Sequence, residues 1–283
     1  MKNSVKVKCP AKINLTLEIV NKREDGFHNI KSIMQMISLY DYLTIMIKEA
    51  DINKIYLDGT SKEIPYDERN LVYKAIDLFL KEAGFNNLEI EVFIEKNIPI
   101  SAGLAGGSTN ASGVIWGLNY LLKIFDDDKL NEICAKLGSD LNVGLNGGCV
   151  LATSRGEITQ KLQNIESQVS LIKPKNLGIS AGEAYKRYSQ KEFKPQNNMT
   201  EKMLTAINNG KKIEPYLYND LEYAVFDVYS ELQTIKEAYP SSIMSGSGST
   251  YFVLENLDNS KLDDSFEFIN NLKFIPNGVS LAD

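Results

Sequence analysis

Ile13, Leu15, Leu17 and Ile19 alternate with Asn14, Thr16 and Glu18, a period of two that predicts a half-buried strand. The same alternation returns at Leu43, Ile45 and Ile47, and again at Leu88, Ile90, Val92 and Ile94. Between those two runs Leu71, Ala75, Leu78 and Phe79 share one face of a helix, with Gly84 placed as its stop. A second helix is predicted from about Ser108: Ala111, Val114, Ile115, Leu118, Leu121 and Leu122 form one stripe, and Ser108 and Thr109 offer hydroxyl caps. A third opens on Asp126, Asp127 and Asp128, whose charges suit a helix start, and stops at Gly138. A fourth is predicted over 221–238 from the alignment of Leu221, Ala224, Val225, Val228, Leu232 and Ile235. Residues 241–255 then read as a glycine loop running into a strand. Strands mixed with helices, without regular βαβ spacing, predict an α+β protein of two lobes, 1–155 and 156–283.

Composition narrows the class. The chain has 283 residues, of which 43% are hydrophobic and 24% charged, so disorder and fibrous repeats are disfavoured. At this length roughly 75% of the unfolded surface can be buried, enough for two cores. The formal net charge is -6 and no run of five like charges occurs, which argues against a nucleic-acid or polybasic membrane partner. Cys9, Cys134 and Cys149 are widely spaced and there is a single histidine, so neither a zinc site nor a disulfide framework is expected. The first ten residues lack the apolar stretch of a signal peptide, and a cytoplasmic setting fits best.

Asn97 to Leu122 carries no charge, long enough to cross a bilayer, but its first half is too rich in Gly, Ser and Pro for a spanning helix. Its placement between an alternating strand and an amphipathic helix is what an anion-binding loop requires. Gly103, Gly106 and Gly107 permit positive φ and close backbone approach, and the amides of the helix start then face the anion. The same composition also suits a plain flexible turn. No lysine follows the glycines, so this is neither a Walker loop nor a GxGxxG fingerprint.

PAKINL at 10–15, DGFHNI at 25–30, KNIPISAGLAGGSTNAS at 96–112, GSD at 138–140 and SGSGST at 245–250 stand in an order that resembles the GHMP small-molecule kinases. The resemblance runs from Pro10 to about Val279. It implies an N-lobe with a left-handed βαβ unit, a ferredoxin-like C-lobe and an active site in the cleft between them. It also implies ATP with Mg²⁺, and a small acceptor bearing cytidine diphosphate whose methylerythritol 2-hydroxyl is phosphorylated. By position, Pro99, Ile100, Ser101, Ala102, Gly103, Leu104, Ala105, Gly106, Gly107, Ser108 and Thr109 would hold the ATP phosphates. Asn110 would continue into the helix, and Asn70, Leu71 and Lys96 would border adenine. Lys12 and Asp140 match the catalytic pair, with Asp140 accepting the hydroxyl proton and Lys12 orienting it and offsetting charge. Asn14 would lie beside substrate, Phe27 and His28 would stack on and hydrogen-bond to cytosine, and Tyr185 would add a second aromatic. Gly246, Ser247 and Gly248 would support the phosphate site, and Ser108 is the one metal ligand offered by the protein. A monomer or homodimer is expected.

Two departures from the family pattern stand out. Phe27 replaces the usual tyrosine before the histidine, and Leu141-Asn142-Val143 follows Asp140 in place of Val-Pro and a bulky residue. The missing proline threatens the helix start that would position Asp140. A kinase for another small alcohol, or a non-catalytic ligand-binding relative, are the competing readings.

Overall fold

A computed structural model describes residues 3–192 and 197–282. The first half comprises β1 (Ser4–Lys22), β2 (His28–Glu49), β3 (Lys54–Gly59), α1 (Leu71–Ala83), β4 (Leu88–Glu95), α2 (Gly106–Leu122), α3 (Asp127–Leu137), α4 (Leu141–Asn146), β5 (Cys149–Ser154) and β6 (Ile158–Lys161). The second half adds β7 (Gln168–Pro174), α5 (Ala181–Gln190), α6 (Met199–Asn208), β8 (Tyr218–Asn219), α7 (Asp220–Val225), α8 (Ser230–Ala238), β9 (Ile243–Met244), β10 (Tyr251–Val253), β11 (Phe266–Lys273) and β12 (Ser280–Leu281).

The long antiparallel pair β1–β2 is the spine of an eight-stranded sheet ordered β12-β1-β2-β4-β3, with β5 pairing β2 and β6 pairing β5. β3 and β4 run parallel, and α1 makes the crossover between them. Val72, Ala75, Ile76 and Phe79 of α1 and Val114, Ile115 and Leu118 of α2 bury against Val7, Leu43, Ile45 and Ile90. The second sheet has the order β11-β7-β10-β9, antiparallel throughout, which numbers 4-1-3-2 along the chain, the ferredoxin-like order. α5 to α8 lie between its first two strands, and a three-residue 3₁₀ turn at Asn259–Lys261 stands where a second crossover helix would be.

The predicted strand periodicity is present, but its polar face is not solvated. Asn14 and Thr16 are both buried because the second half of the chain covers them. β8 pairs in parallel with β1 at Thr16 and Leu17, and Thr200 at the start of α6 hydrogen-bonds Thr16. Asn70 caps α1 by accepting from Val72 N, and Gly84 closes that helix in the left-handed conformation. Asp126 caps α3 in the same way, as its charge predicts.

Two helix expectations are corrected. α2 begins at Gly106, two residues before Ser108, so Ser108 and Thr109 lie inside its first turn and do not cap it. Thr109 instead donates to the Gly106 carbonyl. The predicted helix over 221–238 is two helices broken at Phe226–Tyr229, which leaves Val228 45% exposed and off the apolar stripe. Gln233 Nε2 takes the carbonyl of Phe226, so the break leaves that group satisfied.

Candidate active site

β1 carries Lys12 into the interior, where the side chain is only 5% exposed. Its ammonium donates to Asn14 Oδ1 at 2.7 Å and to the Gly103 carbonyl at 3.1 Å, and lies 3.6 Å from Asp140 Oδ2. Asp140 occupies the cap position of α4, yet its side chain makes no capping bond. The carboxylate is therefore left to Lys12 and to the cavity it lines. The absent proline is compensated: Asn142 Nδ2 donates to both the carbonyl and Oδ1 of Asn131, and Ser112 Oγ donates to the Leu141 carbonyl at 2.7 Å. The helix start under Asp140 is thus tied to α3 and α2 by side-chain hydrogen bonds.

Residues 99–105 form the glycine loop, and among its three expected glycines only Gly103 is in the left-handed region, at φ 76°. Gly106 and Gly107 are helical. Ser101 and Ala105 take positive φ in their place, at 51° and 57°, a strain of about 1–2 kcal/mol per residue for a non-glycine. Ala105 has no side chain to cap α2 and no acidic residue stands in the first turn, so the leading amides face outward for an anion. SGSGST packs against this loop. Ser245 Oγ donates to the Gly103 carbonyl at 3.0 Å, and a Cβ on Gly246 would stand 3.2 Å from Lys12 Nζ.

Two cavities meet at the loop and share Gly103, Ala105 and Ser108. The larger, about 960 Å³, gathers Lys12, Asn14, Phe27, His28, Asp140, Tyr185, Gly246 and Ser247. The smaller, about 370 Å³, is lined by Asn70, Leu71, Lys96, the loop from Pro99 to Gly107, and Asn110. Of the residues singled out in the sequence, Thr109 and Gly248 line neither; Thr109 is buried under the loop, and Gly248 turns the SGSGST segment through its bond to the Ser245 carbonyl. Asn110 Oδ1 is buried without a hydrogen-bond partner, an acceptor suited to a bound donor.

At the far end of the larger cavity His28 stacks on Tyr185, with centroids 5.1 Å apart and planes 16° from parallel. Ser189 donates to the Tyr185 carbonyl and lies 3.0 Å from His28 Nε2, which makes Nε2 the protonated donor of that pair. Burial, with Asp140 and Asp220 nearby, pushes the Tyr185 hydroxyl up. Phe27 is 56% exposed and carries the Arg155 guanidinium 5.4 Å above its ring.

Sequence reasoning missed several members of this site. Asp41 is fully buried in β2, pairs with Lys96, and accepts from the amides of Asn97 at 2.7 Å and Ile98 at 2.8 Å. An aspartate inside the apolar run around Leu43 was the available signal. Asn219 Nδ2 holds the carbonyls of Met244 and Gly246, at 2.6 and 2.8 Å. Ser32 and Arg155 gave no local signal, whereas Ser245 opens the SGSGST motif but carries no expected role of its own. Among the described residues no group of three or more His, Cys, Asp or Glu side chains could hold a metal ion, and no helix is long and apolar enough to cross a membrane.

Two cavities joined at an uncapped helix start, with a buried lysine and the carboxylate it pairs with at the junction, define a small-molecule kinase of the GHMP type. Residues 70–156 match the GHMP kinases N terminal domain. The fold is shared with a homoserine kinase from Cytophaga hutchinsonii, at TM-score 0.75 and 16% identity over 100% of this chain and 98% of that one. A crystal structure of 4-(cytidine 5'-diphospho)-2C-methyl-D-erythritol kinase superposes at TM-score 0.76 and 26% identity, covering 95% of this chain and 99% of the other. The 4-diphosphocytidyl-2-C-methyl-D-erythritol kinase of Prochlorococcus marinus subsp. pastoris is 37% identical over 97% of this chain and 96% of its own length. That of Clostridioides difficile is 38% identical over 88% and 86%. The chain belongs to the 4-diphosphocytidyl-2-C-methyl-D-erythritol kinase family.

Proposed function

We propose that this chain transfers the γ-phosphoryl group of ATP to the 2-hydroxyl of 4-diphosphocytidyl-2-C-methyl-D-erythritol. The carrying observation is the junction: the small cavity and the large one meet at Gly103, Ala105 and Ser108, beside the Lys12–Asp140 pair. ATP occupies the small cavity, with Asn70, Leu71 and Lys96 around the base, and the amides of α2, with Asn110 behind them in the helix, toward its phosphates. The acceptor occupies the large cavity, whose lining holds Lys12, Lys22, Arg155 and Lys186 against one carboxylate, Asp140. That local excess of cations suits a diphosphate in a protein of net charge -6. Phe27, His28 and Tyr185 form the pyrimidine end.

The chemistry follows from the pair at the junction. Asp140 accepts the 2-hydroxyl proton as the oxygen–phosphorus bond forms. Lys12 holds Asp140 in place and offsets charge on the transferred phosphoryl group, as do the amides of α2. Mg²⁺ supplies charge neutralisation between the phosphates when bound, held chiefly by ATP, with the Ser108 hydroxyl as the protein's ligand. The reaction belongs to the cytoplasm, where ATP and a diphosphate acceptor are available.

The test is ADP release from MgATP with this acceptor, in the native chain and in Asp140→Asn. Turnover that falls by about 100- to 10,000-fold in the folded variant is expected. No turnover by native, ATP-binding protein would overturn the assignment.

A further inference from the structure

Three of the buried polar residues on β1 and β2 form a chain that ends at Lys12. The Ser32 hydroxyl lies 2.5 Å from the Thr16 carbonyl and 2.9 Å from the Asn14 side-chain amide. A carbonyl only accepts, so Ser32 spends its proton on Thr16. What remains on Ser32 Oγ is lone pairs, so the group facing it must be a donor, Asn14 Nδ2. That assignment turns Asn14 Oδ1 toward the Lys12 ammonium, 2.7 Å away. The reverse orientation would set two acceptor oxygens against each other and two amide protons against a cation. Ser32 is 0% exposed, Asn14 1% and Lys12 4%, so water cannot make good an unmet partner.

Local backbone geometry makes this arrangement possible. The β1–β2 register slips between Asn14 and Thr16, a β-bulge beside the site. The Ile33 amide goes to Thr16 Oγ1 at 3.0 Å, and Thr200 on α6 adds a second bond to that oxygen. The Thr16 carbonyl is thereby presented to the Ser32 side chain. Of the groups that hold Lys12, Asn14 is the one on its own strand, while Gly103 and Asp140 belong to segments that face the two substrates.

We propose that Ser32 is a positioning residue: by fixing the orientation of the Asn14 amide it fixes the Lys12 ammonium between the glycine loop and Asp140. The inference rests on the kinase reading above and extends it to a side chain that touches neither substrate. Ser32→Ala leaves Asn14 Nδ2 without its acceptor in a buried site, so the amide shifts to find another and its bond to the ammonium, the shortest that Lys12 makes, is weakened. A rate constant that depends on that ammonium then falls while the two binding cavities stay intact.

The experiment measures native turnover first, then kcat and both KM values for Ser32→Ala and Ser32→Thr, each checked for folding by thermal melt. We expect kcat to fall about 10-fold or more in Ser32→Ala, with KM for ATP and acceptor within about twofold, and Ser32→Thr to recover most of the loss by restoring the hydroxyl. If Ser32→Ala does not fold, Ser32→Cys, close in volume but a poor acceptor, takes its place with the same expectation. An unchanged kcat in the folded variant, or a folded Ser32→Thr as slow as Ser32→Ala, overturns the inference while leaving the reaction assignment standing. Absence of native turnover overturns the reaction assignment instead. The role of Ser32 is then read from a crystal structure of Ser32→Ala: Lys12 Nζ beyond hydrogen-bond reach of Asn14 supports it, and an unmoved Nζ overturns it.

Discussion

Gly103→Ala probes the contact on which both substrate cavities depend. A Cβ at this position would stand 2.0 Å from the Ser245 carbonyl oxygen and 3.1 Å from Gly248 N, all backbone atoms that cannot rotate aside. The glycine loop and the SGSGST segment must therefore separate by roughly 1 Å merely to relieve the clash, and further to reach an ordinary contact. Holding a non-glycine residue at φ 76° adds about 1–2 kcal/mol. Separation also breaks the bonds from Lys12 Nζ and Ser245 Oγ to the Gly103 carbonyl, about 1.5–3 kcal/mol for the charged one and about 1 for the other. The sum is about 3–6 kcal/mol, which in a chain of this size lowers Tm by about 6–12 °C. Moving the glycine loop by about 1 Å should also lower kcat on the order of 100-fold. Gly107→Ala is the control: its Cβ meets nothing within 4 Å and its backbone is helical. It should leave Tm unchanged or raised by a degree or two while raising KM for ATP, because the open space is where the proposed binding mode puts the phosphates. Differential scanning calorimetry and steady-state kinetics on the two variants decide the matter. A Gly103→Ala chain that melts within about 2 °C of native and keeps kcat within threefold would refute the reasoning.

Other perturbations test other parts of the fold. Asp41→Asn keeps one oxygen for the amides of Asn97 and Ile98 but turns an NH₂ group toward the buried Lys96 ammonium, which is left charged and unpaired, so urea unfolding should show a loss of about 3–5 kcal/mol, of which adding Lys96→Met should recover a large part. Burial pushes the thiols of Cys134 and Cys149 up to about 12 and raises that of Cys9 as well, so none should react with a thiol reagent at pH 8 until the chain is denatured. Hydrogen bonds from Lys136 and Lys129 on α3 hold the Glu82 carboxyl on α1 down to about 2. Its folded value lies below the unfolded one, so its contribution is full above about pH 5 and is lost as pH falls toward 2. Glu82→Gln should accordingly lower Tm at pH 7, and by much less at pH 2.

Periodicity made the elements of the first half legible, because β1, β4, α1 and α3 each satisfy their pattern locally. It also misled where tertiary cover overrides it. Asn14 and Thr16 look like the wet face of a strand, and only the return of β8 and α6 makes that face interior. Val228 fits the stripe of one long helix, yet the chain breaks there and leaves it exposed. The glycine loop and the segments around Lys12, Asp140 and His28 were visible as motifs, but their meeting was not. Lys12 reaches Asp140 through a burial that no window around either residue encodes. Asp41 was hidden by the apolar run that buries it, and Ser32 by being one hydroxyl among many. What a side chain is for became readable only through its partners' donors and acceptors.

The placement of β1 has a consequence for the order in which this molecule comes into being. Lys12 leaves the ribosome early, but the segments that enclose its strand are made near the end: Asn14 and Ser245 touch across 231 residues of sequence, and β12 pairs β1 later still. Until those segments arrive, β8 and α6 can cover Thr16, but the Lys12 ammonium lacks the wall formed by Ser245 and Gly246. Closure over so long a separation is entropically late. The closed site is therefore acquired late, and a chain cut short before residue 240 would retain Lys12, the glycine loop and Asp140 without the Ser245–Gly246 wall that packs against them.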